Sequence, residues 1–279
     1  MSKPPTFEVS KPGDHTKALK ILIYSGTGGG KTFLAGSAAA VPEMGKVLFL
    51  MPDPGDLTLG AAGFDCDVKH ITEFEEYNPV YEYLASDDNQ YGTVVVDGLT
   101  DSSELCMFGI MRSTKEANPD KDVDLPGIDQ HGKNSNRLRK LVRHYRDLPV
   151  HVIMTALEKE IKDEALGKMY LRPSMPGKLS NEVGAYFDII IYIEAKLEDA
   201  DPDTGKKHPK PIVVRYARFQ PTDRILAKDR TRKLGVIMRD PTMAKILAMI
   251  NDPKGELTAA PGAEPVIKFP KIAIAAGKK

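Results

Sequence analysis

The stretch Lys20-Ile-Leu-Ile-Tyr-Ser-Gly-Thr-Gly-Gly-Gly-Lys-Thr32 decides the fold: an apolar run, a glycine-rich turn, then Lys-Thr opening a helix. Ala18 to Tyr24 is apolar and β-branched enough for a buried parallel strand, and Phe33 to Ala40 is a good helix former. A phosphate-binding loop needs that strand-to-helix context. Gly28, Gly29 and Gly30 let the backbone turn its N–H groups inward around a polyphosphate, with Gly26 and Thr27 completing the turn and Phe33 flanking it. The helix that follows directs the positive end of its dipole to the same place. In this reading Lys31 reaches the β- and γ-phosphates and the Thr32 hydroxyl binds Mg²⁺. One position departs from the pattern G-x-x-x-x-G-K-[ST]: Ser25 stands where Gly is expected. The helix-proximal half, which makes most phosphate contacts, is intact.

Three further apolar runs end in polar residues that can face such a loop. Val47-Leu-Phe-Leu-Met51 stops at Pro52-Asp53-Pro54-Gly55, where the prolines forbid further ladder or helix and hold Asp53 at a strand end. Thr93-Val-Val-Val-Asp97 is an apolar strand ending in an acid; downstream of a phosphate loop, Asp97 is the Mg²⁺ partner candidate. Val150-His-Val-Ile-Met-Thr155 ends in a hydroxyl. Ligands of open α/β sheets sit at such carboxyl ends.

The chain has 279 residues, 41% hydrophobic and 28% charged, enough for a real core, so one α/β domain with extensions is expected. Lys+Arg and Asp+Glu both count 39, so nucleic-acid or acidic partners must be recognised by local patches rather than by net charge. No run approaches the ~18 apolar residues of a membrane span, and Met1 to Lys20 lacks the apolar core of a signal peptide. A cytoplasmic protein without a membrane partner is expected. Cys66 and Cys106 are isolated and read as core thiols, not as a zinc site or disulfide.

Residues 1–17 read as an N-terminal arm, 18–250 as the α/β domain that carries the phosphate loop and 251–279, rich in Ala, Pro, Gly and Lys, as a disordered tail. Thr72-x-x-Glu75 reads as a capping box, Asn78-Pro79 as a helix start, and Asp101 or Ser102 as the cap of a helix to about Met111 with Glu104 in its first turn. Residues 112–135 and 156–185 read as long irregular segments. The helix Asn136–Leu148 places Leu138, Leu141, Val142 and Tyr145 on one face and Arg139, Arg143 and Arg146 on another. That basic face is either solvated or a phosphate-backbone contact. Asp199 to Gly205 imitates a calcium loop, but its Gly falls one place late and no Glu closes it, so it reads as a hairpin turn. Pro211–Phe219 and Arg224–Ala227 read as antiparallel strands in a strongly basic stretch, and Asp240-Pro241 as the cap of a last helix.

With Ser25–Thr32, Asp97, Thr155 and Lys228-Asp-Arg230 in view, the chain resembles the phage-borne RecA-core ATPases (AAA/RecA-like) associated with single-strand DNA annealing, over about residues 18–240. Tyr24 before the loop, Gly-Leu-Thr after Asp97, and Leu-Arg-Pro-x-x-Pro-Gly-Lys-Leu179 before Phe187-Asp188 add to the match. The resemblance implies a RecA-like P-loop core, a mostly parallel sheet flanked by helices with a C-terminal antiparallel hairpin. It places the Thr155 strand between the phosphate-loop and Asp97 strands. It implies ATP and Mg²⁺ as cofactors, Lys31, Asp97 and Thr155 as catalytic groups, and Asp53, where Glu is usual, as the residue orienting the attacking water. Lys228 and Arg230 look like the pair that reaches a neighbour's γ-phosphate, which implies a homo-oligomer, ring or filament. Single-stranded DNA is the implied partner, contacted through Lys133, Arg137, Lys168, Arg172 and Lys178 as well as the arginine face; a single-strand-binding protein is a further candidate partner, and the location is the host cytoplasm. The rival readings are a helicase- or packaging-type motor and a slowly hydrolysing, nucleotide-switched DNA-binding module.

Overall fold

Strand β1 (Lys20–Ser25) is buried on both faces, and its period-2 alternation divides the core in two. Leu22 and Tyr24 join one apolar cluster, with Val94, Val96, Val152, Met154, Leu138, Val142 and Tyr145. Ile21 and Ile23 join the other, with Phe49, Val95, Ile153, Ile191, Leu34, Ala35 and Ile246. The computed structural model describes residues 18–164, 167–200, 205 and 207–252. The arm expected over 1–17, almost all of the expected tail and most of the turn at 199–205 lie outside them.

The remaining elements are α1 (Lys31–Gly36), β2 (Val47–Met51), α2 (Leu57–Ala62), β3 (Asp67–His70), α3 (Tyr77–Leu84), β4 (Thr93–Val96), α4 (Leu99–Ala117), α5 (Ile128–Arg146), β5 (His151–Asp163), β6 (Lys168–Pro173), α6 (Leu179–Glu182), β7 (Ile189–Ala200), β8 (Lys207–Arg218), β9 (Lys228–Asp229), β10 (Ile237–Arg239) and α7 (Met243–Asn251). The strand order is β10-β8-β7-β1-β5-β4-β2-β3, with β6 on β5 and β9 on β7. From β3 to β7 the central pairs are parallel, and β7–β8 and β8–β10 are antiparallel. This is the α/β core expected from the RecA resemblance, with β5 between β1 and β4. The registers decide the site: Val96 lies opposite Met154 and Ile23 opposite Thr155, so Asp97 and Thr155, one step on, are neighbours at the carboxyl edge.

Several expected segments differ. Residues 112–135 are not one long loop, since α4 runs to Ala117 and α5 begins at Ile128. Only 118–127 is irregular; the polar residues on either side of it are solvated sides of helices, and the buried face of α5 begins with Asn134, whose amide donates to Ser103 Oγ at 3.1 Å. A polar residue at a core position conceals the 3.6-residue period. Likewise 156–185 holds the antiparallel pair β5–β6, with Glu158 opposite Pro173. Helix α4 starts directly after Gly98, so Asp101 lies in its first turn and Glu104 beyond it. The capping box is Glu73/Glu76, one residue later than expected, and α7 is capped by Thr242, which accepts from Lys245 N at 3.2 Å. Segment 224–227 is not a strand: Arg224 O accepts from Leu171 N and Leu226 O from Tyr24 Oη, so its backbone is satisfied outside a ladder. β8 pairs with β7 and β10 instead.

Candidate functional site

The phosphate loop follows β1 as its glycines dictate. Gly28 (φ 74°) and Gly30 (φ 100°) occupy backbone conformations that side-chain-bearing residues rarely adopt. A Cβ on Gly30 would also lie 2.5 Å from Arg215 Nε, and one on Gly29 would collide with the Ser25 hydroxyl. Ser25, in place of the expected Gly, is buried; its hydroxyl donates to Gly26 O at 2.9 Å and accepts from Lys31 Nζ at 3.4 Å. Lys31 Nζ also donates to Gly26 O at 3.0 Å and Ser25 O at 3.3 Å, so its ammonium is held across the mouth of the loop. Burial lowers the Lys31 pKa, opposed by the negative charges of Asp97, Glu158 and Asp101.

Asp97, only 8% exposed, accepts from Thr32 Oγ1 at 2.7 Å on one oxygen and from Thr155 Oγ1 at 2.5 Å on the other. Lys31, Thr32, Asp97 and Thr155 thus meet at the ends of three adjacent strands. They line a cleft of about 270 Å³ with Thr27, Gly28, Asp53 and Asp101. Asp53 is exposed on the turn after β2, where Gly55 N donates to its carbonyl at 2.7 Å. Phe33 is exposed, with its ring 5.3 Å from that of Phe64, just beyond α2. Asp101 is half-buried, and its pKa is raised by burial and then by the charges of Asp53, Glu104 and Asp97. Asp101 was hidden as a helix cap; its spacing of one helical turn beyond Asp97 is the signal that a helix starting at Leu99 makes legible. Arg215, which packs on Gly30 from β8, carries no comparable local signal.

The donor set fits a hard divalent cation. The Thr32 hydroxyl and Asp97 carboxylate are oxygen donors side by side at the loop, and Mg²⁺ is commonly held by one or two such groups with substrate phosphates and water. Among the described residues no group of three or more His, Cys, Asp or Glu could hold a metal by itself.

Lys228 and Arg230 lie at the other edge of the sheet, because Lys228 pairs with Ile190 and Asp229 with Ile189, which sits opposite Ile21. From Ile21 to Ser25 the strand covers about 13 Å. Lys228 Nζ donates to Gly184 O and Phe187 O, both at 2.8 Å, and burial lowers its pKa. Exposed Arg230 pairs with Asp188 at 3.1 Å. Of the basic residues on α5, Arg139 pairs with Glu182, Arg146 with Asp147 and Arg137 with Glu75, while Arg143 and Lys133 are exposed. Lys168 and Lys178 are exposed on and beyond β6, and Arg172 lies over the Tyr170 ring at 4.9 Å.

A family model described as "AAA domain" matches residues 17–231. Among solved structures, the RadB recombinase is similar, with 16% identity over 80% of this chain and 86% of that one, TM-score 0.40. So are a prototypical type III secretion ATPase of pathogenic bacteria (17% identity, 63% and 51% covered, TM-score 0.39) and EscN of enteropathogenic E. coli (18%, 63% and 43%, TM-score 0.40). The chain spans about half the length of these two secretion ATPases or less. No curated protein sequence matches it.

Proposed function

The chain belongs to the AAA domain family, and from that premise we propose that residues 18–250 form an Mg²⁺-dependent ATPase that binds single-stranded DNA and promotes annealing or recombination in phage DNA metabolism. The observation that carries the ATPase reading is the convergence of Lys31, Thr32, Asp97 and Thr155 on one cleft from three neighbouring parallel strands. In it the loop amides and Lys31 hold the β- and γ-phosphates, Thr32 and Asp97 hold Mg²⁺, Thr155 keeps Asp97 oriented, and Asp53 orients the attacking water. Mg²⁺, when bound, neutralises charge on the transferring phosphoryl group. The test is Lys31→Ala: affinity for Mg-ATP and turnover should both fall by about 10²-fold or more, as for loss of a main charge-stabilising group. Unchanged affinity in the folded variant would overturn the assignment.

In this reading single-stranded DNA lies along the β5–β6 hairpin. Arg172 over Tyr170 offers a cationic and aromatic surface suited to a base and its phosphate, flanked by exposed Lys168 and Lys178. A homo-oligomer, ring or filament, is part of this reading: exposed Arg230, far along the sheet from its own phosphate loop, would reach the cleft of a neighbour. A second reading is favoured by the exposure of Asp53, one methylene shorter than Glu: a slowly hydrolysing, nucleotide-switched DNA-binding module. Turnover with and without single-stranded DNA separates the two, since stimulation supports the first.

A further inference from the structure

Three carboxylates face the cleft, and they differ in what already occupies them. Asp97 receives a hydroxyl on each oxygen, from Thr32 and Thr155, which fixes it where a metal partner is needed. Asp53 and Asp101 reach the same cleft from different elements, the turn after β2 and the first turn of α4. The floor between Asp101 and Thr155 is kept clear by Gly98: a Cβ there would come within 3.2 Å of Asp101 Oδ2 and 3.1 Å of Thr155 Oγ1.

We propose that Asp101 is a catalytic residue of the ATPase, accepting the proton of the attacking water while Asp53 holds the same water from the neighbouring turn. This rests on the ATPase reading and names a residue that reading leaves out. The water oxygen forms its bond to the γ-phosphorus as the bond from that phosphorus to the β–γ bridging oxygen breaks. The bonding pair leaves on ADP, and the water proton passes to the Asp101 carboxylate. Partial burial, with the charges of Asp53, Glu104 and Asp97 beside it, raises the proton affinity of Asp101, which suits an acceptor, against the opposing effect of a hydrogen bond from its own backbone N–H.

The test is single-turnover hydrolysis of Mg-ATP by the full chain and by Asp101→Asn, Asp53→Asn and the double variant, with equilibrium binding of a fluorescent ATP analogue for each. Asp101→Asn should keep analogue affinity within about threefold, which also reports an intact fold, and lose about 10²-fold in rate. The double variant should be scarcely slower than the slower single variant, because groups acting on one water are not additive. A rate for Asp101→Asn within threefold of wild type, a weakening of binding that accounts for the loss, or additive effects in the double variant would each overturn the proposal. If Lys31→Ala abolishes binding while Asp101→Asn hydrolyses normally, only this inference fails; if Lys31→Ala binds normally, the ATPase reading fails with it.

Discussion

The two edges of the central sheet both carry charged side chains, yet they use them differently. At the amino edge, cations are spent on the chain's own backbone: Lys20 Nζ donates to Leu148 O at 2.6 Å and Val150 O at 2.5 Å, and Lys228 to Gly184 O and Phe187 O. Those carbonyls lie in the short segments that lead into β5 and β7, and burying them without a donor would cost about 1–3 kcal/mol each. At the carboxyl edge Lys31 also donates to loop carbonyls, Ser25 O and Gly26 O, but it does so at the mouth of an open cleft that Asp53, Asp97 and Asp101 line with it. One edge closes the fold, and the other concentrates charge where a ligand can enter.

The strongest way to break this contrast is Arg230, an exposed cation at the amino edge. Completing a neighbour's cleft would join the two edges across a subunit boundary, and Arg230→Ala should then slow turnover by about 10³-fold. Mixing that variant with Lys31→Ala should recover part of the lost rate in trans; mixed oligomers with none would confine Arg230 to closing the fold. Next, Asp53→Asn should slow turnover by about 10²-fold and leave ATP affinity nearly unchanged, measured by steady-state hydrolysis and equilibrium binding. Equal turnover would remove Asp53 from the working edge.

A smaller effect separates the basic patches. Changing Lys168, Arg172 and Lys178 to Ala should weaken single-stranded DNA binding and reduce the log–log salt slope by about 2, for three lost phosphate contacts. The same change at Arg139, Arg143 and Arg146 should reduce it by less than about 1, because Arg139 and Arg146 are held by the carboxylates of Glu182 and Asp147 and only Arg143 is without one, whereas Arg172 donates to neutral carbonyls and keeps its charge for a phosphate. Fluorescence anisotropy across a salt series decides, and the reverse ranking would move the DNA to α5.

The smallest effect sharpens the amino edge. Burial lowers the Lys20 pKa from 10.5 to about 8, against the opposing pull of Asp188 and Asp147. Between about pH 8 and 10.5 the unfolded chain still holds a proton that the folded chain has released, so stability from this group rises with pH and is lost as pH falls through 8. Buried Tyr24, Tyr77 and Tyr145, with pKa values raised by burial, act oppositely above pH 10, so the useful window is pH 8–10. Across it, wild type should gain about 1 kcal/mol relative to Lys20→Met, after allowance for the part of the side chain in water. Denaturant melts check this, and parallel curves would leave Lys20 without a proton to lose.

Where an element was legible, its reason was local. The apolar runs at 20–25, 47–51 and 93–96 need both faces covered, so they read as central strands before any contact is known. The glycines at 28 and 30 need positive φ, and Lys31-Thr32 after them marks the loop. Elements at the margins did not read, because solvent covers what periodicity needs. The first turns of α5 and the outer half of β5 are polar on nearly every side. Asp101 stayed hidden because its meaning depends on whether a helix begins before or after it.

By itself, then, the amino-acid order determined the phosphate loop, the acid and hydroxyl that end two strands, and an α/β core around them, since each follows from backbone freedom or burial within a few residues. Tertiary structure alone decided that Asp97 and Thr155, 58 positions apart, share a hydrogen bond. It also brought Asp101 and Asp53 into one cleft, packed Arg215 on Gly30, and set Lys228 and Arg230 at the far edge. Strand order and register set those meetings, and they arise from long-range pairing and packing that no short stretch encodes.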